Sequence, residues 1–162
     1  MNYLYGLKQF HFIKGYIMNN QTFPQFDNYV CPGDTITWPS DGFDFVARVE
    51  CDHDTKPTDS DCYNEADIER WNNDEWFYVG IVVSVSFKGV QLSDHAASLW
   101  GIDCNFKDDN SYLSEVAKEL EYEALIVARA KVASLRVLFA EEDDTGLTRA
   151  DLQQFHGPSV RI

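Results

Sequence analysis

Two stretches of this chain alternate apolar and polar residues with a period of two. From Phe43 to Cys51 the odd positions are Phe43, Phe45, Ala47, Val49 and Cys51, while Asp44, Arg48 and Glu50 fall between them; Val46 alone breaks the pattern. Successive side chains of a strand point to opposite faces, so this pattern predicts a strand with one face toward a core and one toward water. From Trp76 to Phe87 the signal is stronger. Phe77, Val79, Ile81, Val83, Val85 and Phe87 share one face; Tyr78, Gly80, Val82, Ser84 and Ser86 share the other. Lys88-Gly89 then separates this run from Val90-Gln91-Leu92, which predicts a tight hairpin with glycine supplying the positive φ. A further strand from about Ala97 to Phe106, through Leu99, Trp100 and Ile102, extends the meander. Ahead of these, residues 19–42 are loop-rich, with Pro24, Pro32-Gly33 and Pro39 as punctuation and Thr35-Ile36-Thr37-Trp38 as a short strand.

The period changes after Asn110. Leu113, Val116, Ala117, Leu120, Ala124, Val127 and Ala128 recur at helical spacing, while Glu115, Lys118, Glu119, Arg129 and Arg136 lie mainly elsewhere on the wheel. Asn110 or Ser111 is suited to cap this helix. The pattern runs to about Phe139, as one long helix or two joined near Tyr122. A short helix begins at Asn64 or Glu65, passes Asp67, Ile68 and Trp71, and is broken by Asn72-Asn73-Asp74. The long apolar stripe needs a partner, and the odd-numbered sheet face supplies one. The expected fold is α+β: an antiparallel meander of three to five strands packed on one long or two shorter C-terminal helices. Residues 18–140 form the single domain, and residues 141–162 a peripheral tail in which Thr148 to Phe155 adds a helical turn or two. Residues 1–17 read as an N-terminal extension, because Met18-Asn19-Asn20-Gln21-Thr22 resembles an ordinary polar start.

Composition places the chain among globular proteins. Its 162 residues suit one domain. A content of 44% hydrophobic and 14% aromatic residues is too high for disorder despite the charge. Cys31, Cys51, Cys62 and Cys104 are scattered without a CxxC pair, which points to reduced, mostly buried thiols rather than a secreted disulfide framework. The stretch Met1 to Ile17 is interrupted by Lys8, His11 and Lys14 and makes a poor signal peptide. No run approaches the ~18 apolar residues of a membrane span. A cytoplasmic location is expected.

Charge changes the picture most. Twenty-seven acids against thirteen bases leave a net of −14, a field that repels nucleic acid and anionic membrane and attracts basic surfaces. Residues 41–75 hold twelve acids and three bases, a net of −9, so under a quarter of the chain carries well over half of the excess. Asp52, Asp54, Asp59, Asp61, Glu65, Asp67, Glu69, Asp74 and Glu75 are the candidate contacts for a basic partner. Tyr63, Trp71 and Trp76 lie among them as apolar anchors of the kind that binding hot spots favour. The competing reading is a solvated acidic loop that keeps the protein soluble.

Catalytic and metal chemistry is thinly written. Cys51-Asp52-His53-Asp54 with Cys62 offers zinc-ligating residue types, but at no standard zinc spacing. Asp59-Ser60-Asp61-Cys62-Tyr63-Asn64 lacks the sixth-position glycine of a calcium loop, and Arg70 stands where its bidentate glutamate belongs. Asp94-His95 with Ser93 or Ser98 is an acid–base pair beside a hydroxyl, without a nucleophile elbow. No phosphate-binding glycine loop is present. No cofactor is expected.

Two segments carry a resemblance: Asp74-Glu75-Trp76-Phe77-Tyr78-Val79-Gly80-Ile81-Val82 and Asp94-His95-Ala96-Ala97-Ser98-Leu99-Trp100-Gly101-Ile102. They resemble small acidic proteins encoded by bacteriophages, prophages and plasmids. The likeness covers roughly Phe43 to Ala128. It implies a mobile-element origin and a bacterial host cytoplasm, and it carries over no catalytic residue. On that footing the expected function is a non-enzymatic inhibitor of a host nucleic-acid-handling defence complex, anti-CRISPR or anti-restriction in kind. It would mimic DNA and face the basic surface of a host protein or nucleoprotein complex, with no direct nucleic-acid or membrane contact. The alternatives are an accessory protein-interaction module with a solvated acidic face, and a small metal-dependent enzyme built on Cys51, His53 and Cys62.

Overall fold

Two hairpins and one long helix account for most of the structure, a computed structural model that describes residues 22–143. Four strands, β1 (Thr35–Ser40), β2 (Phe43–Cys51), β3 (Phe77–Phe87) and β4 (Val90–Cys104), form an antiparallel meander in the order β1-β2-β3-β4. A short helix α1 (Glu65–Asn72) lies between β2 and β3, and α2 (Ser111–Asp143) follows β4. The expected α+β fold is the observed one. The proposed extension at residues 1–17 and the helical turns at Thr148 to Phe155 lie outside the described residues.

Both hairpins turn through two residues of positive φ. Ser40 pairs with Phe43 around Asp41 (φ 51°) and Gly42 (φ 81°), and Phe87 pairs with Val90 around Lys88 (φ 50°) and Gly89 (φ 78°). Their twist matches that of the flanking strands, which is why Asp-Gly and Lys-Gly sit there.

The odd face of the sheet packs on the helix. Phe45, Ala47, Val49, Val79, Ile81, Val83 and Val85 join Leu113, Ala117, Leu120, Ala124 and Ala128 in one buried cluster. The helix is continuous, with no joint near Tyr122. Trp38 stacks on Phe45 at 5.6 Å and donates from Nε1 to Glu121 Oε2 at 2.8 Å, tying the β1 edge to α2. The lead-in before β1 is held by Asn105, whose side chain accepts from Val30 N (3.0 Å) and donates to Val30 O (2.9 Å). Asn110, expected as a cap, instead turns inward and donates to Asn105 Oδ1 at 2.7 Å and to Asn28 O at 2.8 Å. Asp109 takes over at the helix start, accepting from both N and Oγ of Ser111.

The even face departs from expectation. Tyr78 through Val85 are all buried, so β3 is out of water on both sides. The cause lies in β4, which is one strand of fifteen residues where the pattern predicted two pieces. Its pairing runs from Val79↔Ile102 to Ile81↔Leu99, one residue too many on β4. This bulge, with Gly101 at φ 76°, re-aims a side chain as bulges do. Trp100 is laid flat over Gly80: a Cβ there would stand 2.3 Å from the indole.

Gly80→Ala therefore forces the indole off the sheet. Overpacking of this kind costs about 1–3 kcal/mol, to be read as a lower urea midpoint with red-shifted tryptophan fluorescence. Adding Trp100→Ala restores part of the loss; an unchanged midpoint for Gly80→Ala alone contradicts the packing.

Candidate partner-binding surface

Residues 52–75 connect β2 to β3 across the end of the sheet where β4 terminates, since Phe77 pairs with Cys104. Three local devices hold this connection. The first is the Asp52 carboxylate. Its Oδ1 accepts from Asp54 N (3.0 Å) and Thr55 N (3.2 Å); its Oδ2 accepts from Thr55 Oγ1 (2.8 Å) and from Gly101 N (2.9 Å), on the β4 bulge. Burial works against its ionisation, but the bonds from the Thr55 hydroxyl and from the N–H groups of Asp54, Thr55 and Gly101 outweigh it. The carboxyl is held below its ordinary range.

The second device is the pair of caps on α1. Asn64 Oδ1 accepts from Asp67 N at 3.0 Å and Asp67 Oδ2 accepts from Asn64 N at 3.3 Å, a reciprocal capping box. At the other end Glu75 N donates to Arg70 O and Asp74 N to Trp71 O, with Asp74 at φ 58°. That is a Schellman ending with aspartate in the left-handed position glycine usually takes. The third device is an aromatic cluster. Fully buried Trp76 lies 5.0 Å from Tyr63, 5.3 Å from Tyr78 and 4.9 Å from Phe106. Its Nε1 donates to Asp67 O at 2.9 Å, bolting α1 to the sheet end.

These devices divide the candidate residues. Asp52 organises the loop, and Asp67 is a buried cap. Glu75 pairs with Arg70 at 2.9 Å. Tyr63 is half-buried within the aromatic cluster, and Trp76 has no exposed surface. Asp54, Asp59, Asp61, Glu65, Glu69 and Asp74 are exposed. Trp71, half-buried, lines with His53, Lys56, Asp74 and Phe77 an open cleft of about 450 Å³. The internal roles of Asp52 and Asp67 had a sequence signal: Asp-x-x-Thr and Asn-x-x-Asp are both turn and cap spacings.

The other sequence candidates are not assembled into a site. Cys51, His53 and Cys62 belong to no cluster of three or more metal-ligating side chains among the described residues. The thiols are free, but Cys31, Cys51 and Cys62 are exposed; only Cys104 is buried, and burial pushes it up to about 12. Cys51 is the last residue of β2, past the final β1 pair at Thr35↔Arg48, and the three exposed thiols correct the expectation of mostly buried ones. His95 Nε2 does meet Ser98 Oγ at 2.8 Å, on exposed surface. Asp94 turns away, accepting from Gln91 Nε2 at 3.0 Å and lying 3.8 Å from Arg48. Ser98 Oγ also accepts from Trp100 Nε1 at 3.3 Å, so the contact serves the indole that covers Gly80.

The chain matches no protein-family model, no curated protein and no solved structure. Among the described residues, no helix is long and apolar enough to cross a membrane.

Removing the Asp52 carboxylate leaves the N–H of Gly101 and of Thr55 without their acceptor, so Asp52→Ala costs about 1–3 kcal/mol near neutral pH. Because the folded pKa is depressed, this contribution is present above the ordinary aspartate value of about 3.9 and fades as pH falls through the folded pKa. Denaturant melts of Asp52→Asn and the parent should converge toward low pH. A gap that widens on acidification contradicts the assignment.

Proposed function

We propose that this protein is a non-enzymatic acidic binding protein whose 52–75 connection docks on a basic surface built for nucleic acid. One observation carries this reading. Asp54, Asp59, Asp61, Glu65, Glu69 and Asp74 project from a single connection that internal bonds anchor to one end of the sheet. Across residues 52–75 nine acids face two bases, Lys56 and Arg70, a net of −7. Duplex DNA shows one negative charge per about 1.7 Å of axis, and grooves of lysine and arginine are built to meet that density. Carboxylates fixed before binding compete for such a groove without the ordering cost of a floppy acidic tail.

The resemblance to phage and plasmid proteins supports a more specific form of the reading. The partner is then a host nucleic-acid-handling defence complex, anti-CRISPR or anti-restriction in kind, and the protein an inhibitor acting in the bacterial cytoplasm. A second reading rests on the cleft beside Trp71. There the protein is an accessory module that grips its partner through aromatic surface, and the charge serves solubility.

Salt and charge reversal separate the two. Asp59→Lys, Asp61→Lys, Glu65→Lys and Glu69→Lys together leave Asp52 and the Asn64–Asp67 box intact. In pull-downs from bacterial lysate, the quadruple variant should capture its basic partner at least about ten-fold more weakly and with a shallower salt dependence. Duplex DNA should compete with the parent for that partner. Capture that survives the substitutions and is indifferent to salt would falsify docking through the acidic connection.

A further inference from the structure

Trp100 gives only one face of its indole to the sheet. Its six-membered ring lies against Gly80, and its Nε1 donates to Ser98 Oγ at 3.3 Å. The residue is nevertheless 42% exposed, so the other face of the ring looks outward. The support beneath and the bond at its edge hold this aromatic surface in place before any partner arrives, which removes an ordering cost from binding.

The outward face borders an open cleft of about 690 Å³, and the rest of the lining is the loop 51–55. Loop and indole meet because Gly101, the next residue on the bulge, donates its N–H to the Asp52 carboxylate. The loop brings two carboxylates to the cleft, Asp52 and Asp54, and no lysine or arginine. Asp52 is occupied by its internal hydrogen bonds. Asp54 is different. Its backbone N–H is bound to Asp52, but its exposed carboxylate has no basic group within 4 Å among the described residues.

A fixed indole face beside an unpaired carboxylate suits a guanidinium. The planar cation stacks on the ring, and its fork of N–H groups meets the carboxylate. A lysine ammonium is compact, strongly hydrated and has no such fork. Arg48, on the same face of β2, is held by Glu50 at 2.6 Å and does not line the cleft. The guanidinium that fits comes from another molecule.

We infer that the outward face of Trp100, together with Asp54, is a docking site for an arginine side chain of the basic partner. The inference rests on the proposed function and deepens it. Grooves built for nucleic acid carry both lysine and arginine, and this site reads one of them in preference to the other. It also places one contact residue on β4, outside the acidic connection.

Fluorescence anisotropy of labelled hexa-arginine and hexalysine peptides, titrated with the full chain at low and moderate salt, tests it. Hexa-arginine should bind about ten-fold more tightly than hexalysine at equal salt, the scale of one partly shielded cation–π contact. Trp100→Leu keeps an apolar cover on Gly80 but has no π face; it should bring the two peptides to parity while leaving hexalysine unchanged. Trp100→Phe should retain part of the preference, a rescue that a merely structural role would not give. Asp54→Asn keeps the backbone bond to Asp52 and should weaken hexa-arginine more than hexalysine. Equal, salt-dependent binding of both peptides to the parent overturns the arginine site and leaves acidic docking standing, as does a preference that survives Trp100→Leu. Absence of binding by either peptide at low salt overturns acidic docking, and the arginine site with it.

Discussion

Strand β3 is buried on both faces, and much of the molecule follows from that constraint. One face is covered by α2. Among the described residues no second helix covers the other, and at Gly80 the neighbouring strand supplies the cover by bulging and laying Trp100 across it. The bulge takes the Gly101 N–H to the Asp52 carboxylate, which collects it along with the amides of its own loop. A packing requirement in the sheet thus becomes an anchor for the connection that carries the acids. Sheet, bulge, carboxylate and acidic surface form one dependent series.

That series explains what the sequence made visible and what it hid. The odd-face alternation of β2 and β3 and the helical stripe after Asn110 reflect one large burial each, so pattern alone located them. The single strand β4 reads as two pieces because its pairing slips again between Val83↔Ala97 and Val85↔Ser93, where the side-chain period is interrupted by polar Ser93, Asp94 and His95. The buried even face was missed because Gly80 and Ser84 carry no apolar signature; what covers Gly80 comes from Trp100, twenty residues away. Charge counting located the acidic segment but could not rank its members. Asp52 and Asp67 look like Asp59 and Asp61 in composition; what sets them apart is the Asp-x-x-Thr and Asn-x-x-Asp spacing that their hydrogen bonds use.

The resulting molecule is electrically and chemically two-ended. At the end where β2 gives way to β3, a hydrogen-bonded connection carries exposed carboxylates and a plug formed by Trp76, Tyr63, Tyr78 and Phe106. At the hairpin end the charge excess fades and α2 presents apolar side chains among arginine and lysine.

Amide hydrogen exchange followed by NMR tests most directly whether the 52–75 connection is a fixed platform rather than a solvated loop. The account predicts that the amides of Thr55, Asp67 and Gly101, each with a side-chain acceptor, exchange on the slow timescale of the β3 interior. Exchange of all three at the rate of an open chain, while β3 itself stays protected, would contradict it.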